Sequence, residues 1–172
     1  DYYYNNIRYR LYDWGNGYIA EVESHGTHSV YTGDIVIPST LTYNSINYDV
    51  TRIGLAAFTN SNITSLVIPN TVNYIYAASS NTKYNGTFAG CSSLTSITFG
   101  NGITIIPKYC CYNCRSLTSI TFGNNVIKID DGAFMMCTSL AYITIPNTVT
   151  TISTSCFETC TGLTTLNLGN VG

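Results

Sequence analysis

The stretch CSSLTSITFGN at residues 91–101 returns as CRSLTSITFGN at 114–124, 23 positions later. The same spacing governs much of the chain. Cysteines recur at Cys91, Cys114, Cys137 and Cys160, and leucines follow at Leu94, Leu117, Leu140 and Leu163. Next in step come Ile97, Ile120, Ile143 and Leu166, then Phe99, Phe122, Ile145 and Leu168. A further apolar row is Ile106, Ile129 and Ile152, followed by Cys111, Phe134 and Phe157, with Phe88 opening that last series. A unit of 23 residues cannot bury such a face by itself, so each unit must stack on the next. The chain is therefore expected to be a repeat solenoid. Degenerate copies extend the period backwards: Ile63, Leu66, Ile68 and Ile75 in ITSLVIPNTVNYI, Ile35 and Ile37 in DIVIPSTL, and Ile53 and Phe58 in VTRIGLAAF.

Within a unit, Leu-x-x-Ile-x-Phe alternates in its second half, as a strand does. Threonine and isoleucine suit that strand. Gly100-Asn101, Gly123-Asn124 and Pro146-Asn147 then turn the chain. DDGAFMMC, on the far side of the coil, reads as a short helical turn that Asp130 or Ser153 can cap, with Phe134 and Cys137 on its buried side. The expected fold is a repeat solenoid of mainly parallel β with short helical turns.

Residues 1–32 lie outside the period. IRYRLYDWGNGYIAEVE alternates on both sides of Gly15-Asn16-Gly17 and reads as an antiparallel β-hairpin. Such a hairpin can cap the first coil, giving an N-terminal cap (1–32) and a solenoid (33–172) that form one structural domain. TYNSINYDV at 42–50 reads as a second hairpin on Asn44-Ser45. The spacing from Ile75 to Phe88 exceeds its later counterparts by eight residues, which places a surface loop at 76–87. At the other end, Leu163, Leu166 and Leu168 are expected to face outward, so that the chain continues or this edge pairs with another copy.

Only 9% of the residues are charged, against about a quarter in an ordinary domain, and the formal net charge is −2. No basic field exists to hold nucleic acid or an anionic bilayer. No apolar run approaches the roughly 20 residues that span a membrane, so no membrane insertion is expected. The chain begins at Asp1, and a signal peptide is taken as already removed.

The seven cysteines fall on the repeat, where stacked equivalents have parallel Cβ vectors. They read as buried free thiols that pack as small hydrophobes. Cys111 and Cys114 form a C-x-x-C, yet each occupies a core row, which argues against a redox pair. Glu21, Glu23, His25 and His28 in EVESHGTH could hold a metal, although an exposed loop is the simpler reading, and no metal or cofactor is assigned. Asn62 and Asn85 open glycosylation sequons, which Asn-rich repeats also produce by accident. No catalytic set is visible.

The outward strand positions form two rows, Asp34, Ser65, Ser96, Ser119, Tyr142, Thr165 and Val36, Val67, Thr98, Thr121, Thr144, Asn167. The binding candidates drawn from them are Ser96, Thr98, Ser119, Thr121, Tyr142 and Thr144, joined by Tyr76 and Tyr84 as stacking platforms. Such a surface suits protein contact or a glycan. A threonine lattice also suits ice, but Tyr142 and Asn167 interrupt it.

CTSLAYITIPNTVTTISTSCF at 137–157 resembles the repeat unit of the BspA-type leucine-rich repeat family, also called the Treponema pallidum type. GDIVIPSTLTYNSINYDVTRIGLAAF at 33–58 looks like that family's first repeat with its hairpin. The resemblance covers residues 33–170, with Cys111 where Phe is usual and Gly100 and Gly123 where Pro is usual. It implies a solenoid of the leucine-rich-repeat type, an α/β horseshoe-like class, and a secreted or cell-surface, non-enzymatic module. Its expected role is adhesion through contact with host matrix or cell-surface protein. A glycan-binding surface and a structural spacer are the alternatives.

Overall fold

The fold is described from a computed structural model over residues 2–15, 17–24, 31–78 and 82–169. It opens with β1 (Tyr2–Tyr4), β2 (Ile7–Asp13) and β3 (Tyr18–Val22), an antiparallel meander. The turn between β1 and β2 uses Asn5 and Asn6 at φ 48° and 62°, the left-handed pair that matches strand twist. β4 (Thr32–Val36) begins the repeats. β5 (Thr40–Tyr43) and β6 (Ile46–Ile53) form the hairpin expected on Asn44 and Ser45, again both left-handed. β3 pairs parallel with β6, which joins the meander to the first coil.

From there each coil repeats one plan. β7 (Asn62–Val67), β9 (Ser96–Thr98) and β11 (Ser119–Thr121) continue β4 as a parallel sheet. β13 (Tyr142–Ile145) and β15 (Thr165–Leu168) form a separate parallel pair next in the series. The second side of the coil holds two-residue strands: β8 (Tyr74–Ile75) against β6, and β10 (Ile105–Ile106), β12 (Lys128–Ile129) and β14 (Thr151–Ile152) against one another. The register confirms the rows read from the sequence, with Ser119 opposite Ser96, Ile120 opposite Ile97 and Thr121 opposite Thr98.

The return arms differ from expectation. DDGAFMMC and its counterparts are chains of turns; no helix forms there. In the arm at 107–114, Cys110, Tyr112 and Cys114 donate to the carbonyls of Pro107, Tyr109 and Cys111, each three residues back. The alternate amides of Tyr109, Cys111 and Asn113 donate instead to Asp131, Ala133 and Met135 of the next coil. An α-helix would turn every N–H along its own axis and leave the neighbouring coil unbonded. Two left-handed residues in each of the later arms keep the alternation: Tyr109 and Asn113, Gly132 and Met136, Ser155 and Thr159. The local turn is closed by the Asp130 carbonyl, which accepts from the Ala133 amide at 3.2 Å, while Asp130 Oδ1 takes only the adjacent Asp131 amide at 2.9 Å.

One hydrophobic core runs from the meander to the last coils. Ile7, Tyr9, Ala20 and Val22 enter it from the meander, and Leu94, Leu117 and Leu140 are fully buried, with Leu163 partly so. At the far end Leu166 and Leu168 are exposed, the latter by 61%. Phenyl rings stack along the return arms, with Phe58 5.6 Å from Phe88 and Phe134 5.8 Å from Phe157. Cys111 breaks this stack, and the strand-side rings are large where it does so. Phe122 stacks on Phe99 at 6.0 Å and meets Phe134 edge-on at 5.9 Å.

That exchange of volume is testable. Cys111→Phe restores the residue usual in such repeats, yet here it overfills a closed core and should lower unfolding free energy by about 1–3 kcal/mol. Adding Phe122→Ile should recover most of the loss, as read by denaturant titration of both variants; two effects that simply add would show that the rings do not share space.

Candidate functional site

The first parallel sheet presents the two outward rows in register. Asp34, Ser65, Ser96 and Ser119 lie opposite one another in turn, as do Val36, Val67, Thr98 and Thr121. Tyr142 and Thr144 occupy the same positions on β13, paired with Thr165 and Asn167. The structure thus brings together six of the candidates: Ser96, Thr98, Ser119, Thr121, Tyr142 and Thr144.

Two kinds of hydroxyl share this side of the molecule. Thr95 donates to the carbonyl of Thr64 at 2.9 Å, Thr118 to that of Thr95 at 3.1 Å, and Thr164 to that of Ala141 at 3.1 Å. These hydroxyls satisfy the coil before them. The side chains of Ser96, Thr98, Ser119, Thr121 and Thr144 make no such bond among the described residues and remain available. Asp34 is the carboxylate of the face. Hydrogen bonds from Ser65 at 2.6 Å and Thr64 at 2.7 Å hold it below the usual carboxylate range.

Thr98 and Thr121 also line a shallow groove of about 580 Å³ at the strand ends, with Val67, Asn70, Asn101 and Asn124. Its floor is built by an asparagine ladder, which the sequence shows only as turns. The amide of Asn101 donates to Asn70 Oδ1 at 2.8 Å, and that of Asn124 to Asn101 Oδ1 at 2.9 Å. Gly100 and Gly123 lie in this floor because a Cβ at either would meet the backbone of the preceding coil, Pro69 O and Gly100 O respectively. With Val36 exposed by 66% and Val67 by 40%, the face combines apolar contact with uncharged hydroxyls.

Tyr76 and Tyr84 stand elsewhere. Tyr84, 71% exposed, lies in a 3-10 helix, Lys83–Asn85, and meets Tyr112 of a return arm edge-on at 5.9 Å. Lys83 Nζ lies 3.9 Å from Met135 Sδ of the next arm. The loop is clamped at its base, where Thr87 Oγ1 donates to the carbonyl of Tyr76 at 2.8 Å and Thr59 Oγ1 to that of Gly86 at 2.7 Å. The described segment 82–87 of the insertion therefore lies over the return arms, away from the strand face. Tyr76 is half-buried beside the meander, near Arg10, Tyr12 and Glu21.

The seven cysteines are all free and buried. Those of the ladder take one role. Cys91, Cys114, Cys137 and Cys160 direct Sγ to the carbonyls of Phe58, Phe88, Cys111 and Phe134 at 3.0–3.3 Å. In the copy before Cys91 the equivalent position is the fully buried Ser61. Burial pushes the thiols of Cys91, Cys111 and Cys137 well up, and Cys156 up to about 12; for Cys114 the hydrogen bond with Cys111 leads and burial adds to it. Such thiols are not nucleophiles. His25 and His28 lie outside the described residues. Among the described residues no three His, Cys, Asp or Glu side chains gather as a metal site, and no helix is long and apolar enough to cross a membrane.

The profile of the BspA type leucine rich repeat region matches residues 38–84 and 51–171, in six copies. The chain belongs to the BspA-type leucine-rich repeat family. Solved structures agree on the fold of these BspA-type repeats. A leucine-rich repeat protein from Bacteroides ovatus is 27% identical over 97% of this chain and 41% of its own, with a TM-score of 0.75. The Treponema pallidum leucine-rich repeat protein is 23% identical over 93% of this chain and 67% of its own, with a TM-score of 0.72. The pneumococcal vaccine antigen PcpA is 16% identical over 96% of this chain and 47% of its own, with a TM-score of 0.52. The chain thus spans about two fifths of the Bacteroides ovatus relative. No curated protein matches the sequence.

In the native protein, thiol reagents should leave all seven cysteines unmodified from pH 7 to 9, because burial denies them access. Reaction should begin only with unfolding, counted by mass spectrometry across a denaturant series. Rapid native labelling at Cys111 or Cys114 would contradict the closed core.

Proposed function

We propose that this chain is a non-enzymatic recognition module, secreted or displayed on a cell surface, whose strand face contacts a protein of the host matrix or of a neighbouring cell. The observation that carries the reading is the set of registered hydroxyls at Ser96, Thr98, Ser119 and Thr121, unspent on the protein's own backbone and flanked by exposed Val36 and Val67. A rigid sheet offers such groups at little entropic cost on binding. With little charge on the face beyond Asp34, close contact is favoured over long-range steering. Membership of a leucine-rich repeat family supports a protein-binding role, and the likeness to a pneumococcal antigen suits a location outside the cell. In this reading the β1–β3 meander caps the first coil. Tyr142 and Thr144 extend the contact surface, and Tyr84 and Tyr76 lie off it.

The test uses immobilised matrix proteins and neighbouring-cell extracts as the binding panel. Thr98→Arg with Thr121→Arg places charge in the centre of both rows and should weaken binding at least about tenfold, since unpaired charge in an interface costs more than about 1.4 kcal/mol. Tyr84→Ala, on the return-arm side, should leave affinity within about twofold. Equal binding by the arginine pair, or loss only with Tyr84→Ala, would move the surface elsewhere. No binding to any member of the panel would favour a spacer.

A further inference from the structure

A second, smaller cavity lies where the meander meets the first coil. Arg10, Tyr12, Glu21, Glu23, Gly54 and Tyr76 are among the residues that line about 280 Å³ there. Glu21 is its centre. Strand alternation sends Glu21 to the outer face of β3, where a carboxylate ordinarily meets water, yet it is only 6% exposed.

Three features hold it so. The pairing of β3 with β6 shifts register between Ala20 and Glu21, and the extra residue on β6, Thr51, brings Arg52 opposite Glu21. Without that bulge Arg52 would stand opposite Val22 and point into the core. On the other side β2 places Arg10 opposite Glu21. Gly54, whose amide donates to Val22 O at 2.8 Å, leaves room for the carboxylate: a Cβ there would lie 2.9 Å from Glu21 Oε1. Glu21 lines the cavity; its Oε2 accepts from the Tyr12 hydroxyl at 3.5 Å, while Oε1 has no protein donor among the described residues. Burying a carboxylate this far without completing its hydrogen bonds is costly, as its upward-shifted pKa reflects. The core gains nothing from it.

The charges around the cavity cancel. Glu23 pairs with Arg10 at 3.0 Å, and Arg52 stands beside Glu21 with its guanidinium 4.6 Å from the ring centre of Trp14. Two carboxylates against two guanidiniums leave no net field to select an ion. What remains is a dense set of directional donors and acceptors with the rings of Tyr12 and Tyr76 at the wall. A neutral ring bearing several hydroxyls and an apolar face satisfies both, and the volume is close to the lower end of small-molecule sites, about 300 Å³. We infer that this cavity is a binding site for a single neutral pyranose unit, with Glu21 Oε1 accepting from a sugar hydroxyl and Tyr76 against the ring. The site is separate from the strand face, and either can fail without the other.

The test is titration of the isotopically labelled chain with methyl glycosides of glucose, galactose and mannose, followed by amide NMR. N-acetylneuraminic acid and glucosamine serve as charged controls. At least one neutral glycoside should shift the Gly54 and Leu55 amides saturably, and Glu21→Gln or Tyr76→Ala should weaken it about tenfold while amide dispersion is kept. Tyr76→Ala, at the rim, decides the matter if Glu21→Gln disturbs the fold. No saturable shift with any neutral glycoside, a response to the charged sugars alone, or undiminished binding by the folded variants would each overturn the assignment.

Discussion

Each coil of this protein is held by the coil on either side, and that mutual burial is the constraint from which the rest follows. Leu94, Leu117 and Leu140 join the other apolar rows of their units in one core, and they are fully covered because a neighbour stacks on them. Stacking also commits the backbone. One strand pairs on the first side, a two-residue strand on the second, and alternate amides cross to the next coil along the return arm. With three ladders per coil satisfied by neighbours, little polar backbone is left for a helix to serve. Even the cysteine thiols are turned to carbonyls of the coil before them.

The rows of the solenoid were legible because a strand's period of two and the unit's period of 23 both show directly in the residues. Register between β9 and β11 follows from the identity of SLTSITFGN in both. The return arms were not legible in the same way. DDGAFMMC has the capping residue and the apolar spacing of a helical turn, and local preference favours one. The decision was made by carbonyls 22 residues further on, such as Thr154 O for the Gly132 amide, which take every second N–H. Tertiary demand overrode local propensity there.

The functional surfaces divide along the same line. The hydroxyl rows on the strand face are a matter of register and could be placed from the sequence. Which hydroxyls are already spent could not: Thr95 and Ser96 look alike in the chain, yet one bonds the previous coil and the other does not. Tyr84 joined the strand face on paper because an insertion has no period to locate it; Tyr112 and the clamp at Thr87 set it on the opposite arm. The environment of Glu21 depends on a bulge and on Gly54 and Tyr76, none of which carries a sign of its partner.

The thiol ladder has a consequence for how the molecule must be made. Once stacked, each sulfur is sealed beneath the next layer, out of reach of an oxidant even where Cys111 and Cys114 lie in hydrogen-bond contact. Before stacking, all seven are exposed on one flexible chain, and almost any two could be coupled. In an oxidising compartment maturation is therefore a race, which the chain wins only if its layers close faster than an oxidant arrives. Contacts that reach mainly to the adjacent layer suit a quick finish.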